Sequence, residues 1–87
     1  MTDEGSTASK VRLHVSFPEE LVDRPLVYEI VKGFDVVPNI RRADVEADSA
    51  WVILELAGSR DQLAGAIRYL EDLGCVVNTM EGDVVEG

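Results

Sequence analysis

Residues 50–57 read Ala-Trp-Val-Ile-Leu-Glu-Leu-Ala. Val52, Leu54 and Leu56 fall on one side of an extended chain, and Trp51, Ile53 and Glu55 on the other. Successive side chains of a strand point to opposite faces, so this period of two predicts a half-buried strand. Upstream, Val36 to Ala47 predicts another strand, with Asp48-Ser49 as a tight turn between the two, and the pair makes a hairpin. Pro38 cannot donate a ladder hydrogen bond, which confines the start of that strand to an edge or a bulge. Downstream, Ser59-Arg60-Asp61-Gln62 has capping-box spacing, with Ser59 as the cap. Leu63, Ala66, Ile67, Leu70 and Leu73 follow at helical spacing until Gly74 stops the helix. Cys75 to Met80 supplies a last strand.

The N-terminal half adds a strand and a helix. Lys10 to Phe17 alternates, with Val11, Leu13, Val15 and Phe17 on one face and Arg12, His14 and Ser16 on the other. Pro18 ends this strand, and Glu19 to Arg24 is a polar connection. Pro25 suits the first turn of a helix, where its missing N–H costs nothing. Asp23 or Arg24 is the expected cap, Asp23 being the better chemically. Leu26, Val27, Ile30, Val31 and Phe34 recur at helical spacing, and a helix over Pro25 to Lys32 is predicted, with Gly33 as its left-handed end. The order is strand, helix, strand, strand, helix, strand. Two right-handed split crossovers then give an α+β, ferredoxin-like (ACT-like) β-α-β-β-α-β sandwich: a four-stranded antiparallel sheet with both helices on one face.

The chain has 87 residues, eight of them Lys or Arg and seventeen Asp or Glu, for a net charge of −9. This length holds one domain, expected over residues 10–81, with a disordered tail at 1–9 and an acidic tail at 82–87. The negative charge repels phosphate backbones and anionic lipid, so nucleic acid is not an expected partner. No apolar run approaches the roughly 20 residues that span a bilayer, so no membrane insertion is expected, and the cytoplasm is the expected location. One cysteine, Cys75, allows no internal disulfide and no Cys-x-x-Cys motif. It reads as a small buried thiol.

Two helices cover one face of a sheet. The other face then carries Arg12, His14, Ser16, Trp51, Ile53 and Glu55, and a Trp and an Ile left uncovered invite a partner. A homodimer paired through this face is the expectation, since most oligomers are symmetric dimers. The alternative is that the N-terminal tail folds across it. The only histidine, His14, reads as a solvated or interface side chain. A catalytic pair would need a second group held beside it, with Ser16 or Glu55 as the neighbours available. No metal-ligand spacing, no paired acid and base and no cofactor motif stands out, so the chain reads as a non-enzyme. An acylphosphatase-like enzyme shares the element order, but Pro18-Glu19-Glu20 would repel phosphate where that chemistry needs an anion cradle. An RNA-recognition sheet would need stacking aromatics on adjacent strands and positive charge. Arg41-Arg42 is the one basic doublet. It reads as local charge balance, or as the mark of a small carboxylate ligand or of an acidic patch on a partner. Asn39 nearby offers a donor and an acceptor, as an amino-acid ligand requires.

Phe17-Pro18, Pro25-Leu26-Val27 and Phe34-Asp35-Val36-Val37-Pro38-Asn39-Ile40-Arg41 together resemble the NIL domain. So do Trp51-Val52-Ile53-Leu54-Glu55-Leu56, Ile67-Arg68-Tyr69-Leu70 and Gly74-Cys75-Val76-Val77. The resemblance spans Lys10 to about Met80. The Asn-Ile-Leu signature that names the family stands here as Asn39-Ile40-Arg41, with Arg in the third place. NIL domains close the ATP-binding subunit of methionine importers, where they pair through their sheets and bind methionine to inhibit transport. The resemblance thus implies a regulatory domain that senses methionine or a related sulfur amino acid. Asn39, Ile40 and Arg41 would be its ligand-binding residues. Arg12, His14, Trp51, Ile53 and Arg42 form the expected interface. Other NIL domains precede a two-cluster ferredoxin in proteins of sulfur-amino-acid synthesis, and Asn-Ile-Arg-Arg with the acidic ending resembles that branch. The implied alternative is an interaction module that serves a ferredoxin, a sulfur-transfer enzyme or a transporter subunit. The cluster cysteines of that branch are not among these 87 residues.

Overall fold

The structure, a computed structural model, describes residues 8–80. Its elements are β1 (Ala8–Phe17), a 3₁₀ turn (Glu19–Leu21), α1 (Leu26–Gly33), β2 (Val36–Val45), β3 (Ala50–Ser59), α2 (Arg60–Leu73) and β4 (Val76–Thr79). The sheet order is β2-β3-β1-β4 and every neighbouring pair is antiparallel. This is the ferredoxin-like α+β fold expected from the sequence. Ala8 and Ser9, assigned to the N-terminal tail, instead lengthen β1 by pairing with Ser59 and Gly58. The rest of the two expected tails lies outside the described residues.

The core forms between the sheet and both helices. Leu13 and Val15 of β1 and Leu54 and Leu56 of β3 are at most 1% exposed, and they meet Leu26 and Ile30 of α1 and Leu63, Ala66 and Leu70 of α2. All of these strand residues share one phase of the alternation. Each buried Leu or Ile contributes on the order of 1.5–3 kcal/mol through removal from water. On the outside of the helix layer, Tyr69 of α2 donates its hydroxyl to Glu29 Oε1 of α1 at 2.6 Å, and Arg24 grips both oxygens of Glu29 at 2.8 and 3.0 Å. Arg24 and Tyr69 together hold the Glu29 carboxyl below the usual range.

The end of α2 follows the sequence. Ser59 Oγ accepts the Gln62 N–H at 3.3 Å. Gly74 sits at φ 112°, its N–H on Glu71 O while Cys75 N–H reaches back to Leu70 O, a Schellman ending. The return half of the expected capping box is redirected: Gln62 Oε1 accepts the Asp35 N–H at 2.8 Å and so ties α2 to the approach of β2.

The ends of α1 differ from expectation. Pro25 is the cap, in place of Asp23 or Arg24, with φ −79° and ψ 70°. Those angles and the Leu26 N–H on Arg24 O describe an inverse γ-turn centred on Pro25, which leaves the proline just outside the helix. Gly33 closes the helix without a left-handed residue, because Phe34 becomes extended at once with its N–H still on Ile30 O. The Phe34 ring then meets Tyr69 edge to face at 6.0 Å. Gly65 permits that approach: a Cβ there would stand 2.7 Å from the Phe34 ring. The Glu19 to Arg24 connection is not wholly polar in environment either, since its 3₁₀ turn buries Leu21.

Candidate functional site on the open sheet face

Alternation along the four strands sends the second set of side chains to the face without helices. Register groups them in rows: Asn39–Glu55–Arg12, then Arg42–Ile53–His14–Asn78, then Asp44–Trp51–Ser16–Val76. Trp51 and Ile53 are half-buried by their neighbours, with no helix over them. His14 stacks on Trp51 across the β1–β3 diagonal, ring centres 5.3 Å apart and planes inclined by 18°. Val76 at the β4 edge is exposed.

β2 is an edge strand, as Pro38 requires, and it carries a bulge. Its register steps from Ile40 opposite Leu54 to Arg42 opposite Ile53, so Arg41 is the extra residue. A bulge sets two residues against one and re-aims their side chains. Here it brings two guanidinium groups to the open face where strict alternation would bring one. Arg41 Nη1 lies 3.9 Å from Glu55 Oε1, while Arg12 donates to Glu55 Oε2 from Nε at 3.1 Å and from Nη2 at 2.6 Å.

Glu55 is therefore the hub of a polar cluster, its side chain only 13% exposed. The Arg12 hydrogen bond, and the charges of Arg12, Arg41 and Lys10, hold its carboxyl below the ordinary range against the opposing effect of burial. Beside it opens a shallow depression of about 180 Å³ lined by Lys10, Val37, Asn39, Glu55 and Ala57. The lining combines an ammonium, a carboxylate, an amide and two apolar side chains, a set that complements a small zwitterion with an apolar tail.

Of the sequence-predicted ligand residues, Asn39 lines this depression and Arg41 reaches its rim through Glu55. Ile40 does not join them. It pairs with Leu54, so it stands on the helix side of the sheet, 53% exposed at the edge. The neighbourhood of Asn39 and Ile40 in sequence is thus broken by alternation. The five expected interface residues, Arg12, His14, Trp51, Ile53 and Arg42, share the open face. Lys10, Val37 and Ala57 were absent from the predicted site. Lys10 keeps the phase of Arg12 and His14, so alternation alone signals it. Val37 follows only from the β2–β3 register. Cys75 is buried, and burial raises its thiol pKa, in line with a packing role. Among the described residues no cluster of His, Cys, Asp and Glu could hold a metal ion, and no helix is long and apolar enough to cross a membrane.

The family model of the NIL domain matches residues 11–79. The chain belongs to the NIL domain family. Over 63 residues this NIL domain is 32% identical to a protein of Methanocaldococcus jannaschii, the L-aspartate semialdehyde sulfurtransferase iron-sulfur subunit. That match covers 72% of this chain and 48% of the relative, so the chain spans about half the length of the curated relative it matches. The C-terminal domain of an ABC transporter ATP-binding protein from Enterococcus faecalis superposes with a TM-score of 0.71 at 17% identity, covering 84% of this chain and 86% of that one. The de novo designed protein Foldit4 superposes with a TM-score of 0.56 at 10% identity, over 92% and 98% of the two chains. These two structures share the NIL domain's fold.

Proposed function

We propose that this NIL domain is a non-catalytic sensing module that takes methionine or a related sulfur amino acid on the open face of its sheet, as a homodimer in the cytoplasm. The depression around Asn39 and Glu55 carries this reading. Lys10 and Arg41 suit a ligand carboxylate, Glu55 and the Asn39 carbonyl suit its ammonium, and Val37 with Ala57 offers apolar contact for the side chain. The depression of about 180 Å³ is smaller than the roughly 300–1,000 Å³ of pockets that enclose a ligand. A second copy laid on the same face supplies the missing wall. The flat packing of His14 on Trp51 supports an interface role for the histidine over a catalytic one. Titration calorimetry with methionine and with homocysteine tests the reading. Saturable heat in the native protein and at least about tenfold weaker binding in Asn39→Ala are expected, the loss matching the roughly 1.4 kcal/mol of a broken hydrogen bond. No heat at millimolar ligand removes methionine sensing.

A second reading is a partner module for an iron–sulfur protein, a sulfur-transfer enzyme or a transporter subunit. The similarity to the iron-sulfur subunit named above and the half-exposed Trp51 and Ile53 support it. Its contact set is Trp51, Ile53, Arg12 and Arg42. A pull-down from the native host with the Trp51→Ala and Ile53→Asp double variant tests it, and undiminished capture counts against this face.

A further inference from the structure

Charge is distributed unevenly over this molecule. Among the described residues, four of the eight basic side chains, Lys10, Arg12, Arg41 and Arg42, stand on the open face, with only two of the twelve acidic ones, Asp44 and Glu55. The face is thus a cationic island on a chain of net charge −9. The island has an internal polarity as well. The cations gather toward the depression, in the rows of Lys10, Asn39–Glu55–Arg12 and the bulge, while the opposite end carries the stacked Trp51 and His14 with exposed Val76 and Asp44. Glu55 already engages Arg12, and Arg42 is exposed.

We infer that the ligand-free open face docks an acidic polypeptide segment of a partner protein in one orientation, its apolar anchor on Trp51 and Ile53 and its carboxylates on Lys10, Arg41 and Arg42. The inference rests on the partner-module reading and adds the chemistry of the partner. Complementary charge across an interface sets orientation and speeds encounter more than it adds affinity, and the acidic remainder of the chain repels a wrongly turned acidic partner. Spacing fixes the recognised pattern. Same-face residues along a strand recur about every 6.6 Å, so the Ile53 row and the Lys10 row lie roughly 13 Å apart, the span of about four extended residues. Arg42 flanks Ile53 in its own row and Arg41 lies beside Glu55, so the docked segment carries acids spread from beside its apolar side chain to about four residues from it. The surplus of cations over acids on this face matches an acidic segment better than a second copy of the same face.

The test is a backbone NMR titration of the intact protein with two synthetic peptides, Glu-Glu-Asp-Gly-Gly-Leu-Phe and its amide counterpart Gln-Gln-Asn-Gly-Gly-Leu-Phe. Saturable shifts on β1, β2 and β3 with the acidic peptide are expected, with the amide peptide at least about tenfold weaker. Binding should weaken several-fold on raising salt from about 50 to about 300 mM, and fall about tenfold or more in Arg41→Glu with Arg42→Glu, whose side chains are exposed and whose fold is checked by circular dichroism. Equal binding of both peptides on this face overturns the acidic preference while leaving the partner reading in place. No shifts on this face with either peptide, or full binding in the double variant, overturns the inference. So does sedimentation showing that the ligand-free protein self-associates through this face and that Trp51→Ala abolishes the association, for the occupant is then a second copy.

Discussion

The same strands build both faces of the sheet, yet the faces differ in kind. Leu13, Leu54 and Leu56 are sealed against the helices, while Arg12, Ile53 and Glu55, one residue away along the same chain, keep partial contact with solvent. On the sealed side the hydrophobic effect fixes register, since a slip of one residue would turn every leucine outward. On the open side a hydrogen-bonded ion cluster and a ring stack occupy the rows. Stability is concentrated on the first side, which leaves the second free to carry chemistry specific to recognition.

Deleting side chains from each face sharpens this contrast most. Leu54→Ala leaves a cavity in the core and should cost about 2–5 kcal/mol. Ile53→Ala, next in sequence but half-exposed, should cost less than about 1.5 kcal/mol. Urea denaturation measures both, and equal losses would break the assignment of faces. A smaller contrast separates two glycines. Gly74→Ala forces a Cβ into φ 112° and should cost about 1 kcal/mol. Gly33→Ala sits in helical backbone with nothing within 4 Å of the new Cβ, and should be neutral or stabilising by up to about 1 kcal/mol. The smallest effect belongs to the open face. Arg12 holds the Glu55 pKa below its ordinary 4.5 in the folded protein. The resulting stabilisation is full above the unfolded value and disappears as pH falls through the lower folded value. Melting temperatures from pH 6 down to pH 3 should therefore fall less steeply in Glu55→Gln than in the native protein.

The sealed face was legible in the sequence because burial writes a period. Val52-Ile53-Leu54-Glu55-Leu56 alternates, and Leu63, Ala66 and Leu70 recur at helical spacing, so the element order followed from them. Local chemistry placed the ends of α2 as well, through Ser59 and Gly74. The open face was only partly legible. The bulge at Arg41 left no trace, since from Asn39 to Val45 every residue of the edge strand is exposed and an extra residue disturbs no apolar pattern. Ile40 was grouped with Asn39 through the contiguous family signature, although the pleat turns them to opposite sides. Leu21 was missed because two adjacent apolar residues, Leu21 and Val22, in a polar stretch show no period. The choice of Pro25 as the cap of α1 depended on a γ-turn whose hydrogen bond, Leu26 N–H to Arg24 O, no side-chain type announces.

The open face as a ligand site is tested most directly by a backbone NMR titration of the native protein with methionine at millimolar concentration. Saturable shift changes should gather on Val37, Asn39, Arg41, Glu55 and Ala57, with the amides of α1 and α2 nearly still. Shifts confined to the helices, or no shift at saturating ligand, would contradict the placement of recognition on this side of the sheet.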